Sequence, residues 1–146
     1  MERIGKIIKK YSTYPGVDLI SLYELTLLSF ITGNSDMHLK NFSLLTNADN
    51  EVMISPAYDL LSTKLLLKED DEEMALPING KKSNLKKADF LLYAETVGIN
   101  EVSIKNIHTK FKNHEQQLLD FIDTSFLSGT MKEEYKNLLS ERLAGF

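Results

Sequence analysis

Residues 33–41 read Gly33-Asn34-Ser35-Asp36-Met37-His38-Leu39-Lys40-Asn41, and eighteen positions beyond Asn41 comes Asp59, in Ser55-Pro56-Ala57-Tyr58-Asp59-Leu60-Leu61. Between them lie two short apolar segments, residues 42–46 and 52–54, around the turn-forming Asn47-Ala48-Asp49-Asn50. That pattern predicts a small hairpin. Before the loop, residues 19–31 carry apolar side chains on almost every face of a helix, so the segment belongs at the centre of a domain. Gly33-Asn34 closes it, because either residue can take the left-handed conformation. The order of buried helix, polar loop, hairpin and acidic residue decides the reading of the fold. A hairpin returns the chain to its starting point, which is expected to bring Asp59 to Asn41.

Working outward, Ile4, Ile7, Ile8 and Tyr11 recur at helical spacing and predict a short amphipathic helix with a basic polar face, ending before Pro15-Gly16. Asp18 stands where an N-cap of the buried helix is expected. Beyond Asp59, residues 60–67 are apolar but punctuated by Ser62, Thr63 and Lys64. The acidic run Glu69-Asp70-Asp71-Glu72-Glu73 reads as a solvated loop, since it lacks the alternating oxygen ligands and the turn glycine of a calcium loop. Residues 74–78 form an extended segment turned by Asn79-Gly80, and Ser83 or Asn84 is expected to cap a helix over about 85–97, closed by Gly98. A stripe from Val102 to about Asp123 and a last helix over about 130–143 complete the chain. No internal repeat, low-complexity tract or linker is visible, so residues 1–146 read as one domain, mainly α with a small β-hairpin.

The 146 residues are 42% apolar and 26% charged, the composition of an ordinary globular protein. A net charge of -4 provides no global positive field, which argues against a direct nucleic-acid partner or an anionic membrane. The absence of cysteine excludes disulfides and thiolate metal sites and fits a reducing cytoplasm. The N-terminal stretch spreads lysines among isoleucines, unlike a secretory signal. Residues 19–31 are too short for a bilayer, which takes roughly 20 apolar residues.

Asp36 and Asn41 stand five positions apart, the spacing at which a kinase catalytic loop places a base and a metal-binding amide, and Asp59 follows the hairpin as the second metal ligand does. Phosphoryl transfer needs such a set because the protein chiefly positions the group and neutralises its charge. Tyr58 is expected to pack beneath the loop as a wall residue. His108 and His114 lie on the late helix without a second ligand at i+3 or i+4, and read as surface or half-buried residues and not as metal ligands.

With these residues the sequence resembles the HipA toxin kinases: the loop Gly33 to Leu44, then Ser55-Pro56-Ala57-Tyr58-Asp59-Leu60-Leu61, and also Ala75-Leu76-Pro77-Ile78-Asn79-Gly80-Lys81-Lys82-Ser83-Asn84-Leu85. The resemblance covers essentially the whole chain. It implies the C-lobe of a HipA-like, protein-kinase/phosphoinositide-kinase-like fold in a bacterial toxin-antitoxin system. In family terms Asp36 is the base toward a serine or threonine hydroxyl, and Asn41 and Asp59 bind magnesium with ATP. His38 and Lys40, inside the motif, are secondary candidates: His38 to brace the loop, Lys40 to touch a phosphate or serve as a charge partner. The implied partners are a HipB-like antitoxin and a protein substrate such as an aminoacyl-tRNA synthetase.

A complete kinase also needs a phosphate cover, a strand lysine and its acidic helix partner. The seven glycines contain no Gly-x-Gly pair, and too little chain precedes Gly33 for an N-lobe. The chain therefore reads as a C-lobe alone: a fragment, a truncated frame, or a subunit completed by an N-lobe-supplying polypeptide. Little activity is expected of it in isolation, and the apolar surface bared at the lobe interface favours self-association or a partner. Two other readings compete: a non-catalytic interaction module binding an antitoxin or client through the helical second half, and a lipid-kinase fragment. The latter rests on the Asp-x-His-x-x-Asn loop alone and lacks a basic membrane face.

Overall fold

The computed structural model describes residues 1–67, 69 and 71–146. Along these residues run α1 (Glu2–Tyr11), α2 (Pro15–Ile31), β1 (Leu44–Thr46), β2 (Val52–Ile54), α3 (Lys87–Thr96), α4 (Glu101–Asn113), α5 (Glu115–Asp123) and α6 (Gly129–Ala144), with 3-10 turns at Leu39–Asn41 and Thr63–Leu65. This is the mainly helical architecture with a small hairpin that the sequence predicts. No helix among the described residues is long and apolar enough to cross a membrane. Of the acidic run, Asp70 lies outside the described residues.

The apolar surface of α2 is covered over most of its circumference, leaving a stripe through Val17 and Ser21 exposed. Leu22, Tyr23, Leu27 and Ile31 are fully buried, α1 packs along the helix through Ile4 and Ile8, and α6 covers its far end through Leu139 and Leu143. Aromatic rings join the layers: Tyr23 stacks on Tyr93 of α3 at 6.0 Å between centroids, and Phe30 meets Phe90 at 5.0 Å. At Gly5, a Cβ would lie 2.7 Å from Cγ1 of Val97, so glycine permits the close approach of α1 to the end of α3.

Asp18 does not cap α2. Pro15 occupies the first helical position, where its missing N–H is no loss, and the helix starts there. Asp18 falls in the first turn instead, buried, and its Oδ2 accepts the Ser12 hydroxyl at 2.6 Å and the Ile54 N–H at 2.9 Å. It thus staples the hairpin to the start of α2. Thr13 adds two further bonds to the hairpin: its N–H donates to Val52 O at 2.8 Å, and its Oγ1 accepts the Val52 N–H at 2.8 Å. Within the antiparallel hairpin Leu44 faces Ile54 and Thr46 faces Val52, and Asn47 Oδ1 closes the turn by accepting the N–H groups of Asp49 and Glu51.

The third helix also begins later than Ser83 or Asn84 would place it. Lys86 is the N-cap, its N–H donating to Asp89 Oδ2 at 2.9 Å, while Lys81 reaches Asp89 Oδ1 at 2.6 Å. The Lys81 ammonium and the Lys86 N–H hold the Asp89 carboxyl below the usual carboxylate range. Asn84, at φ +53°, still belongs to the preceding turn. Gly98 closes α3 at φ +82°, as expected. The single late stripe is two helices, because His114 leaves helical geometry at ψ 7°. The Ser128 side chain caps α6 by accepting the Met131 N–H.

His108 is the other correction. It is buried, not half-exposed, and its Nε2 lies 2.7 Å from the Tyr23 hydroxyl, linking α4 to α2, with Phe146 edge-on to its ring at 5.2 Å. His114 is exposed, and its Nδ1 lies 2.7 Å from the carbonyl oxygen of Lys110. Burial pulls the pKa of His108 down to about 4, with Lys87 and Lys112 adding electrostatic pressure against the cation. The unfolded chain binds this proton near pH 6.5 and the folded chain only near 4, so stability is lost as pH falls through that window. Urea unfolding is expected to show up to about 3 kcal/mol of this loss between pH 6.5 and 4. His108→Gln is expected to remove that part of the slope, and an unchanged slope would refute the assignment.

Candidate active site

The site is built on the C-terminal end of α2. Gly33 turns the chain at φ +74°, its N–H donating to Phe30 O at 3.1 Å, and the Asn34 N–H donates to Ser29 O at 2.8 Å. Asn34 is buried, and its Oδ1 accepts the Asp36 N–H at 3.2 Å. This is an Asx turn that sets the Asp36 backbone. Met37 points into the protein, fully buried, and anchors the loop from beneath.

The loop then folds on itself. Asp36 O accepts the His38 N–H at 2.9 Å and the Asn41 Nδ2 at 3.3 Å, and the Asn41 N–H donates to His38 O at 2.9 Å. The side chains of Asp36 and His38 stand side by side, with Nε2 3.4 Å from Oδ1, and the carboxylate remains open to solvent. Asn41 is 4% exposed, and because its Nδ2 is occupied, its Oδ1 is the end left to accept. Asp36, His38 and Asn41 thus belong to one hydrogen-bonded unit. Lys40 is exposed, and among the described residues no carboxylate pairs with its ammonium.

The segment that bears Asp59 reaches this loop through Tyr58. The Tyr58 hydroxyl donates to Lys40 O at 2.9 Å, fastening the segment after β2 to the loop before β1. Tyr58 is therefore exposed and acts as a tie, not as the wall residue beneath the loop that the sequence suggested. Asp59 is exposed and left-handed at φ +56°, a conformation that Asp tolerates better than most side chains.

A second tie was invisible in the sequence. Thr63, in the 3-10 turn after Asp59, is buried; its Oγ1 accepts the Ser35 N–H at 2.8 Å, meets Ser35 Oγ at 2.7 Å and donates to Gly33 O at 3.2 Å. Lys64 N–H also donates to Gly33 O, at 3.1 Å. Nothing in Leu60-Leu61-Ser62-Thr63-Lys64 marks the threonine, because its partners lie about thirty positions away.

A family model described as the HipA-like C-terminal domain matches residues 1–118. The chain belongs to that family. Among curated relatives, the HipA-like domain is 33% identical over 84 residues to "Putative kinase Y4mE" of Sinorhizobium fredii, covering 58% of this chain and 19% of that protein. It is 22% identical over 142 residues to a "Putative kinase" of Haemophilus influenzae, covering 86% of this chain and 41% of that protein. Among solved structures, a chain of the Shewanella oneidensis toxin-antitoxin complex of HipA, HipB and operator DNA superimposes with a TM-score of 0.79 at 19% identity, over 97% of this chain and 34% of that one. The fold is thus that of HipA, a kinase-like fold, and the domain spans less than half the length of these relatives. The family match ends inside α5, short of the whole-chain resemblance read from the motifs, whereas the structural likeness extends into α6.

The turn at Gly33 is crowded as well as left-handed: a Cβ there would lie 2.7 Å from Leu138 Cδ2 and 3.1 Å from Lys64 Cβ, whereas one at Gly80, φ +80°, would meet nothing within 4 Å. In thermal melts both Gly33→Ala and Gly80→Ala are expected to lose the backbone term of about 1–2 kcal/mol. Gly33→Ala is expected to lose more, because the Leu138 side chain must turn aside and Ser62 Oγ and Lys64 Cβ, at 3.0 and 3.1 Å, must yield. Equal losses would contradict the packing described.

Proposed function

We propose that this domain is the base-and-metal lobe of a bacterial, cytoplasmic HipA-like serine/threonine protein kinase. The observation that carries the reading is the hydrogen-bonded unit of Asp36, His38 and Asn41, tied through Tyr58 to the segment that bears Asp59. Asp36 presents an exposed carboxylate oxygen to accept the proton of a serine or threonine hydroxyl, and His38 beside it restricts the directions that carboxylate can face. The donor set suits Mg2+: the free Oδ1 of buried Asn41 and the carboxylate of Asp59 are hard oxygen ligands. Bound there with ATP, the ion would neutralise charge on the phosphates and orient the γ-phosphoryl group. Lys40, exposed and without a carboxylate partner among the described residues, would serve to meet a phosphate oxygen.

A nucleotide between these groups needs a cover, and the surface next to the loop suits one. Ile4, Ile7, Leu39, Phe42, Leu44 and Ile54 line an apolar groove of about 90 Å3, with Ile7 and Leu39 exposed at its edge. We assign this groove to a kinase N-lobe, and for the isolated domain to self-association. A HipB-like antitoxin is the further partner, by analogy with the Shewanella complex. The substrate is a protein hydroxyl, an aminoacyl-tRNA synthetase being the family's example.

A second reading, an interaction module without catalysis, is favoured by one observation: Phe121 and Phe126, on and just beyond α5, are strongly exposed. Calorimetric titration with Mg2+-ATP separates the two. The kinase reading expects measurable affinity that falls at least about tenfold in Asp59→Ala and changes less than about threefold in Asp36→Ala, since only the former holds the metal. No binding under any condition would favour the module. Phosphate transfer by the isolated domain is expected to be negligible, because groups that orient and neutralise a phosphoryl donor are worth orders of magnitude in rate. Transfer by this domain alone, abolished in Asp36→Ala, would show that no cover is needed.

A further inference from the structure

We propose that Thr63 is a positioning residue that makes the turn before Asp36 and the turn after Asp59 a single cooperative unit, fixing the base relative to the metal-binding carboxylate. The inference deepens the kinase reading and rests on it for its catalytic meaning.

A hydroxyl offers one proton and two lone pairs. Thr63 Oγ1 has three partners on the Gly33–Ser35 turn: the Ser35 N–H, the Ser35 hydroxyl and the Gly33 carbonyl. The backbone N–H can only donate and the carbonyl can only accept. Thr63 therefore gives its proton to Gly33 O, and Ser35 Oγ must be the donor in the remaining contact. Every valence of the hydroxyl is used, and its direction is fixed. At 8% exposure the side chain is also largely withdrawn from water, so water does not readily replace a lost partner.

The residues joined in this way flank the chemistry. Ser35 precedes Asp36, whose own N–H is held one step further back by Asn34. Thr63 follows Asp59 by four positions. Another tie, Tyr58 to Lys40, is exposed and is a single bond. A buried three-partner contact resists separation more than an exposed single bond does, so the larger share of the coupling is assigned to Thr63. Lys64 N–H on Gly33 O adds to the same junction.

The test compares Thr63→Val, which keeps the shape and removes the hydroxyl, with Thr63→Ser, which keeps the hydroxyl, in the full chain. Backbone amide exchange is followed residue by residue by NMR. In Thr63→Val the Ser35 and Lys64 amides are expected to exchange at least about tenfold faster, together, while amides within α3 and α4 hold their protection. Thr63→Ser is expected to stay within about threefold of the parent. Unchanged exchange at Ser35 and Lys64 in Thr63→Val, or a uniform loss across all helices, would overturn the proposal, the latter by reducing Thr63 to general stability. Mg2+-ATP titration of the same variants reads the functional half: where the parent binds, Thr63→Val should bind at least about threefold more weakly and Thr63→Ser should recover. Unaltered binding in Thr63→Val would overturn the positioning role. A parent that binds no nucleotide defeats the kinase reading, while the exchange result still decides whether the two turns form one unit.

Discussion

The end of α2 at Gly33 is the point from which the remaining geometry hangs. A helix leaves its last carbonyls without partners in the helix, and here they are claimed by distant parts of the chain. The Phe30 carbonyl accepts the Gly33 N–H and the guanidinium of Arg142 from α6, whose plane also lies 4.5 Å over the Phe30 ring, with Glu73 alongside at 3.8 Å. The Gly33 carbonyl goes to the turn that follows Asp59. A helix end fixed in this way cannot shift without disturbing the aromatic core, the last helix and the turn together. That rigidity is what an exposed loop needs if its side chains are to keep mutual positions.

Around that fixed end, the polar residues divide their work by depth. Asn34, Asn41 and Thr63 are buried and hold the backbone, whereas Asp36, Lys40 and Asp59 are left at the surface. Surface side chains are carried on a buried scaffold, the usual arrangement where groups must meet something from outside. The wide face of α2 away from the site is spent on packing, with Tyr23 and His108 exchanging a hydrogen bond inside it.

What could be read in the sequence was what local chemistry specifies. The burial of α2 followed from its apolar faces, its end from Gly33, the hairpin from Asn47 to Asn50, and the spacing of Asp36 and Asn41 from the loop itself. What could not be read depends on partners far along the chain. Asp18 looked like a cap because its residue type favours caps, but Pro15 had already started the helix and Ile54 claimed the carboxylate. Lys81 and Asp89 moved the start of α3. His108 read as a surface or half-buried residue, and Tyr23, 85 positions earlier, supplies the partner that lets it be buried. Thr63 and Tyr58 gave no local sign, since hydroxyls of their kind serve equally well facing water.

The staple at Asp18 and the junction at Gly33 together make a measuring device of the chain between them. Ile54 is pinned near the start of α2 and Thr63 at its end, fifteen helical steps or about 22 Å apart. Nine residue steps must cover that length, and fully extended they reach only about 30 Å. The strand exit, Tyr58 and Asp59 therefore cross this span in a largely extended course, and the left-handed bend at Asp59 takes up part of the remaining length. The number of residues between hairpin and junction is thus a dimension matched to the helix beneath it, so that α2 serves as the ruler against which the position of Asp59 is set.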